Sequence, residues 1–138
     1  MTMLREVTRP GSLITVDQEA PVLAAVRAMA AHDVRIVGVV AGNRLAGVFS
    51  ERDVVRRVVA RELDPAHTRL GDVMTESILV ADSEDDCAET LRRMESAGIG
   101  HMPVLAEGHV LSMISIRDLL GTDQGRAAAR QVKGLAEI

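Results

Sequence analysis

The sequence predicts an α/β fold made of two tandem βαββα repeats packed as a pseudo-two-fold module, and three observations carry that prediction. The first is internal self-similarity. Ser50 and Asp53 return as Ser115 and Asp118, and the same 65-residue offset pairs Asp17 with Asp82, Arg27 with Arg92, Met29 with Met94 and Val39 with Val104. The second is that each copy alternates short apolar runs with a stripe of helical period. The third is size: 138 residues at 47% hydrophobic content can bury roughly two-thirds of the unfolded surface, enough for one module of two halves.

Each element has its own local cause. After the Pro10-Gly11 break, residues 12–16 read as a short strand. Pro21 suits a first helical position, and Val22, Leu23, Val26 and Met29 follow as one amphipathic stripe. Residues 34–40 form an apolar strand, residues 41–44 carry turn chemistry, and residues 45–49 return, which predicts a hairpin. Ser50 starts a second helix whose buried face is predicted to be Val54, Val55, Val58 and Val59, ending at Leu63-Asp64-Pro65. In the second copy, residues 77–81 are the short strand and Asp85 the expected N-cap. Cys87, Ala88, Leu91 and Met94 form the stripe, and Gly98 ends the helix. Residues 99–105 and 110–114 form the second hairpin, and Ser115 opens a helix that Gly121 cuts short. The connector Leu70-Gly71-Asp72-Val73-Met74-Thr75 is faintly echoed by Leu4-Arg5-Glu6-Val7. The expected domains are therefore 4–67 and 70–122, with 123–138 a tail of marginal helix or frayed chain.

Composition excludes several classes. Residues 1–69 hold ten Arg and eight acids, net +2, whereas residues 70–138 hold six basic and twelve acidic groups, net −6. Neither half is a nucleic-acid surface, and with Phe49 the sole aromatic residue there is no stacking platform for DNA or RNA. The first eleven residues lack an apolar run of signal-peptide length and nothing later approaches a membrane span, so a cytoplasmic location without membrane contact is expected. One cysteine, Cys87, allows no internal disulfide and falls on an apolar helix side, as a buried thiol. There is no nucleophile elbow, no phosphate-binding loop ending in Gly-Lys-Ser or Gly-Lys-Thr, and no His pair at metal-ligand spacing, so neither catalysis nor a metal site is expected.

The repeated Ser-x-x-Asp is first a helix capping box, in which the hydroxyl and the carboxylate each satisfy a backbone N–H of the other residue. Its position adds a second possibility. Both pairs follow the returning strand of a hairpin, where a helix N-terminus favours anions and an ionised Asp can accept from two neighbouring hydroxyls, as a ribose presents.

These residues resemble the tandem cystathionine β-synthase (CBS) domains, paired in what is called a Bateman module, over nearly all of residues 4–121. The resemblance is carried by Gly47-Val48-Phe49-Ser50-Glu51-Arg52-Asp53, Met113-Ile114-Ser115-Ile116-Arg117-Asp118, His101-Met102-Pro103-Val104-Leu105 and the connector Asp72-Val73-Met74-Thr75. It implies a stand-alone regulatory module that binds AMP, ADP, ATP or S-adenosylmethionine between the repeats and signals to an unknown regulated protein. By position, Asp53 and Asp118 would hold ribose, Ser50 and Ser115 would lie near phosphate, and Arg35 and His101 would be phosphate contacts. Lacking an aromatic shelf, the nucleobase would lie between aliphatic side chains: Ile14, Val16, Ile36 and Val37, or Leu79, Ile99 and Met102 in the second copy. Pro103 stands where the first copy has Gly38, and Ser112 where it has Gly47, changes that would alter how closely a ligand approaches the backbone.

A homodimer is also expected, because the stripes Val22/Val26/Met29 and Val54/Val58/Val59 leave more apolar helix surface than two thin sheets cover; the unlike net charges of the halves favour head-to-tail pairing. Arg35, Arg52, Arg56 and Arg57 gather around the first Ser-x-x-Asp and Asp82, Glu84, Asp85 and Asp86 crowd the second copy, so a polyphosphate should prefer the first site. The alternative is a constitutive dimeric interaction module with no nucleotide ligand.

Overall fold

The computed structural model describes residues 1–121, so the expected 123–138 tail lies outside the described residues. Its elements are β1 (Thr15–Asp17), α1 (Val22–His32), β2 (Ile36–Ala41), β3 (Arg44–Ser50), α2 (Glu51–Asp53, continuing as a π-helical segment Val54–Val59), β4 (Ala81–Asp82), α3 (Cys87–Ala97), β5 (His101–Ala106), β6 (His109–Ser115) and α4 (Ile116–Leu120). Each repeat makes one three-stranded sheet, ordered β1-β2-β3 and β4-β5-β6. In both, the short strand runs parallel to the middle strand and the hairpin is antiparallel.

The 65-residue repeat extends to irregularities. Val39 faces Gly47 and Val40 faces Leu45, which leaves Ala46 as an extra residue, and Val104/Ser112 and Leu105/Val110 leave Leu111 in the same place. A bulge twists and bends its strand, so sharing one gives both hairpins the same bend into the helix that follows. The first helices also end alike. Asp33 (φ 52) and Gly98 (φ 67) are left-handed C-caps, and Val34 N–H to Met29 O matches Ile99 N–H to Met94 O, each at 3.0 Å.

The chain packs as two units, residues Ile14–Ile78 and residues Met1–Leu13 with those from Leu79 on. Packing therefore divides the chain differently from the repeat, because each repeat is completed by the segment that precedes the other. In the first unit Leu70 is fully buried among Val22, Met29, Val37, Phe49 and Val58. Its turn is docked by Leu70 N–H to Ala20 O (2.8 Å) and Gly71 N–H to Gln18 O (2.9 Å). In the second unit Leu4 takes that place among Leu91, Met94, Met102 and Ile114. Leu4 N–H to Asp85 O (2.9 Å) and Arg5 N–H to Ser83 O (2.8 Å) repeat the docking. The echo between the two segments is thus a repeated tertiary joint.

Four expectations need correction. The short strands are β1 (Thr15–Asp17) and β4 (Ala81–Asp82), not residues 12–16 and 77–81; at the start of the first of these runs, Gly11 and Ser12 bond β6 instead, at Leu111 O (2.9 Å) and Met113 N–H (3.1 Å). Asp86, not Asp85, caps α3 by accepting from Glu89 N–H at 3.2 Å, while Asp85 accepts from Asp82 N–H at 2.9 Å. The valine face after Asp53 is only partly buried: Val58 is 0% exposed, but Val55 and Val59 are 62% and 63% exposed. Valines spaced by four share a face, Val54 and Val58 towards the core and Val55 and Val59 outward, while bonds from Ala60 N–H to Val55 O and Leu63 N–H to Val58 O span five residues, as in a π-helix. Finally, Val22 and Met29 are covered by their own sheet, so α1 leaves no large apolar stripe open.

Candidate functional site

Both Ser-x-x-Asp pairs form the reciprocal capping box that their spacing predicts. Asp53 N–H donates to Ser50 Oγ at 3.2 Å and Ser50 N–H to Asp53 Oδ2 at 2.9 Å; in the second repeat the distances are 3.1 and 2.9 Å. Each box stands on the same scaffold. Ile36 pairs with Ser50 and Arg35 O accepts from Glu51 N–H at 3.0 Å, while His101 pairs with Ser115 and Gly100 O accepts from Ile116 N–H at 3.1 Å. Arg35 and His101 are thus both brought to a helix start, though at positions that are not equivalent: the 65-residue offset matches Arg35 to Gly100 and His101 to Ile36.

The two carboxylates nevertheless sit in different surroundings. Asp118 is exposed, and among the described residues only the Ser115 amide donates to it, at Oδ2. Asp53 is 8% exposed. Its Oδ2 also accepts from Ser50 Oγ (3.2 Å), its Oδ1 faces Arg57 Nε (3.5 Å), and Thr75 Oγ1 lies 3.3 and 3.4 Å from Oδ1 and Oδ2. Arg57 in turn donates to Met74 O at 2.9 Å, and Thr75 exchanges two backbone bonds with Val48, at 2.9 and 3.0 Å. The connector is thereby fastened to β3 through Val48 and to the helical segment after it through Arg57. Gly47 explains how closely it lies: a Cβ there would fall 2.5 Å from Thr75 O. At this position glycine admits the connector.

Arg57 is one of the arginines expected around the first Ser-x-x-Asp, and it follows Asp53 by four residues, the spacing of helical ion pairs. Sequence reasoning missed Thr75 as a neighbour of Asp53. Thr75 gave no signal, because its contact spans 22 residues.

The aliphatic candidates separate by strand alternation. Val37 and Met102 are 0% exposed inside the two cores, so their side chains are already committed to packing. Ile14 and Val16 are partly buried against the first core and Ile99 against the second, and Ile36 is half-buried on the strand face opposite Val37. Pro103 is buried opposite Met113. Leu79 lines an open cavity of about 340 Å³ with Glu89, Arg92, Arg93, Ser96 and Ala97, a lining that includes neither Ser115 nor Asp118. Cys87 is fully buried, and burial, then the charges of Asp86 and Glu6, push its thiol pKa up. That suits an inert core thiol.

The sequence pattern of the CBS domain matches residues 4–60 and 70–124. The chain belongs to the CBS-domain family. Like other tandem CBS proteins, it carries two copies of the three-stranded sheet with its helices. A CBS domain-containing protein of Arabidopsis thaliana, CBSCBSPB2, is 29% identical over 91% of this chain, which covers 25% of that relative. The chain therefore spans about a quarter of the length of the first curated relatives it matches. The crystal structure of a hypoxic response protein I with two coordinated zinc ions is 26% identical, with a TM-score of 0.78 over 88% of this chain and 98% of that one. A CBS domain protein from Pyrobaculum aerophilum, complexed with AMP, shares the fold at a TM-score of 0.78 and 23% identity, over 99% of this chain and 100% of that one. Among the described residues, no group of three or more His, Cys, Asp and Glu is placed to hold a metal, and no helix is long and apolar enough to cross a membrane.

Proposed function

We propose that this CBS pair is a regulatory, non-catalytic module that binds an adenosine nucleotide, AMP, ADP or ATP, through the Ser-x-x-Asp of its repeats and reports it to a regulated protein. The observation that carries this reading is the Asp118 carboxylate. Its Oδ2 serves the capping box, while Oδ1, on an exposed residue, takes no hydrogen bond among the described residues. A ribose diol supplies the two donors that such an oxygen accepts. Arg35 and His101, each at the start of the helix after a hairpin, are the side chains proposed to contact phosphate. Half-buried Ile14, Val16 and Ile36 are proposed to flank a base at the first Ser-x-x-Asp and Ile99 one at the second, and the AMP complex of a protein with the same fold supports this ligand class. S-adenosylmethionine offers the same ribose without phosphate and is the variant to exclude.

We further propose a cytoplasmic homodimer, with Val55 and Val59 as the apolar surface left for a second copy. Light scattering at micromolar protein should return twice the chain mass.

The ligand class is tested by thermal shift with AMP, ADP, ATP, S-adenosylmethionine, GMP and CMP. Ligand at a hundred times its dissociation constant stabilises by about 2.7 kcal/mol, a rise of several degrees. Adenosine ligands alone should produce it. No shift with any of them favours the constitutive interaction module.

A further inference from the structure

The Asp53 carboxylate has about four lone-pair positions and, among the described residues, accepts from three donors, Ser50 N–H, Ser50 Oγ and Thr75 Oγ1, with Arg57 Nε 3.5 Å from Oδ1 as an ion pair. The first-repeat site is therefore occupied by the protein itself. A ribose diol arriving there brings two donors, and something must leave. Ser50 N–H is the shortest partner at 2.9 Å and is fixed by the helix start, whereas Thr75 Oγ1 is shared between Oδ1 and Oδ2 at 3.3 and 3.4 Å. Of the three hydrogen-bond donors Thr75 is the longest and, sitting on the connector, the one to yield.

We propose that Thr75 is an internal competitor for the Asp53 carboxylate, so that nucleotide at the first Ser-x-x-Asp and the connector's side-chain hold on that carboxylate exclude one another. The inference rests on the adenosine reading above and adds what that reading lacks, a residue that sets the first site's affinity and couples it to the connector. Loss of the Thr75 hydroxyl contact leaves the connector held by its two backbone bonds to Val48 and by Arg57 to Met74 O. Those backbone bonds then open more often, a change readable at defined amides. Asp118 has no such competitor among the described residues, so the second repeat binds without this cost.

The experiment uses the full chain with Asp118→Ala as background, which leaves the first site to be measured. AMP affinity is followed by calorimetry and exchange at the Thr75 and Val48 amides by hydrogen–deuterium exchange, for Thr75, Thr75→Val and Thr75→Ser. Valine keeps the shape and removes the donor, and serine restores it. The expected results are faster exchange at both amides when AMP binds, AMP affinity raised roughly three- to ten-fold by Thr75→Val, and near-parental affinity in Thr75→Ser. AMP binding that leaves both amides protected, or a Thr75→Val variant that binds equally or more weakly, overturns the competition while leaving the adenosine reading intact. An absence of AMP binding by both the background protein and the unsubstituted chain overturns that reading, and the competition with it.

Discussion

Asp53 and Asp118 occupy the same position in two repeats 65 residues apart, yet one carboxylate is 8% exposed among four neighbours and the other is exposed with one. The local geometry is repeated and the tertiary setting is not. Both are capping residues, but Asp53 also fastens the connector through Thr75 and orients Arg57.

Their removal should therefore differ in stability before any ligand is added. Asp118→Ala loses a cap, about 1 kcal/mol. Asp53→Ala loses a cap and leaves Arg57 and Thr75 without their acceptor, about 2 kcal/mol or more. Thermal melts of the two variants check this, and equal losses would show the Thr75 and Arg57 contacts to be energetically idle.

Gly47 and Ser112 give a second comparison. A Cβ at Gly47 would fall 2.5 Å from Thr75 O, so Gly47→Ala should destabilise by about 1–3 kcal/mol and speed exchange at the Thr75 amide. Ser112 is 0% exposed and its Oγ has no hydrogen-bond partner among the described residues. Ser112→Ala removes an unsatisfied buried hydroxyl and should be neutral or stabilising by about 1 kcal/mol. A destabilised Ser112→Ala would mean that this hydroxyl holds a buried water.

Acid should loosen the first unit through two carboxylates. Hydrogen bonds from Arg69, with its charge, hold Glu19 below its usual pKa, and those from His67 and the Ala66 amide do so for Asp64. A carboxylate depressed in the folded state stabilises above its unfolded pKa, about 4, and loses that contribution as pH falls through the lower folded value. Melting temperature measured from pH 7 to pH 3 should fall most steeply below about pH 4, and less steeply in Glu19→Gln with Asp64→Asn. Coincident curves would contradict the assignment.

Much of this was legible because it is local. The 65-residue offset carries the strand order and the two capping boxes, since each depends on residues close in sequence; the matching bulges at Ala46 and Leu111 emerged only in the strand register. The connector's role was not. Leu4 and Leu70 look like an echo in sequence, but that each completes the other repeat's core depends on long-range packing. Val55 and Val59 were misplaced because the valine run divides between two faces, and which of them the core covers is set by long-range packing of Val54 and Val58. The asymmetry at Asp53 was hidden because it comes from Thr75, 22 residues away and without a counterpart at the same offset.

The central claim is that the Ser-x-x-Asp carboxylates hold a nucleotide as well as cap helices, and the most direct test is calorimetric titration of nucleotide-stripped protein with AMP. The chain has no Trp or Tyr, so residual absorbance near 260 nm reports incomplete stripping. The unsubstituted protein should bind AMP, and the double variant Asp53→Ala with Asp118→Ala should bind about ten- to a hundred-fold more weakly, the loss of charge-assisted bonds to ribose. No heat from the unsubstituted protein at millimolar AMP, or equal affinity in the folded double variant, would contradict the claim and leave the two pairs as helix caps.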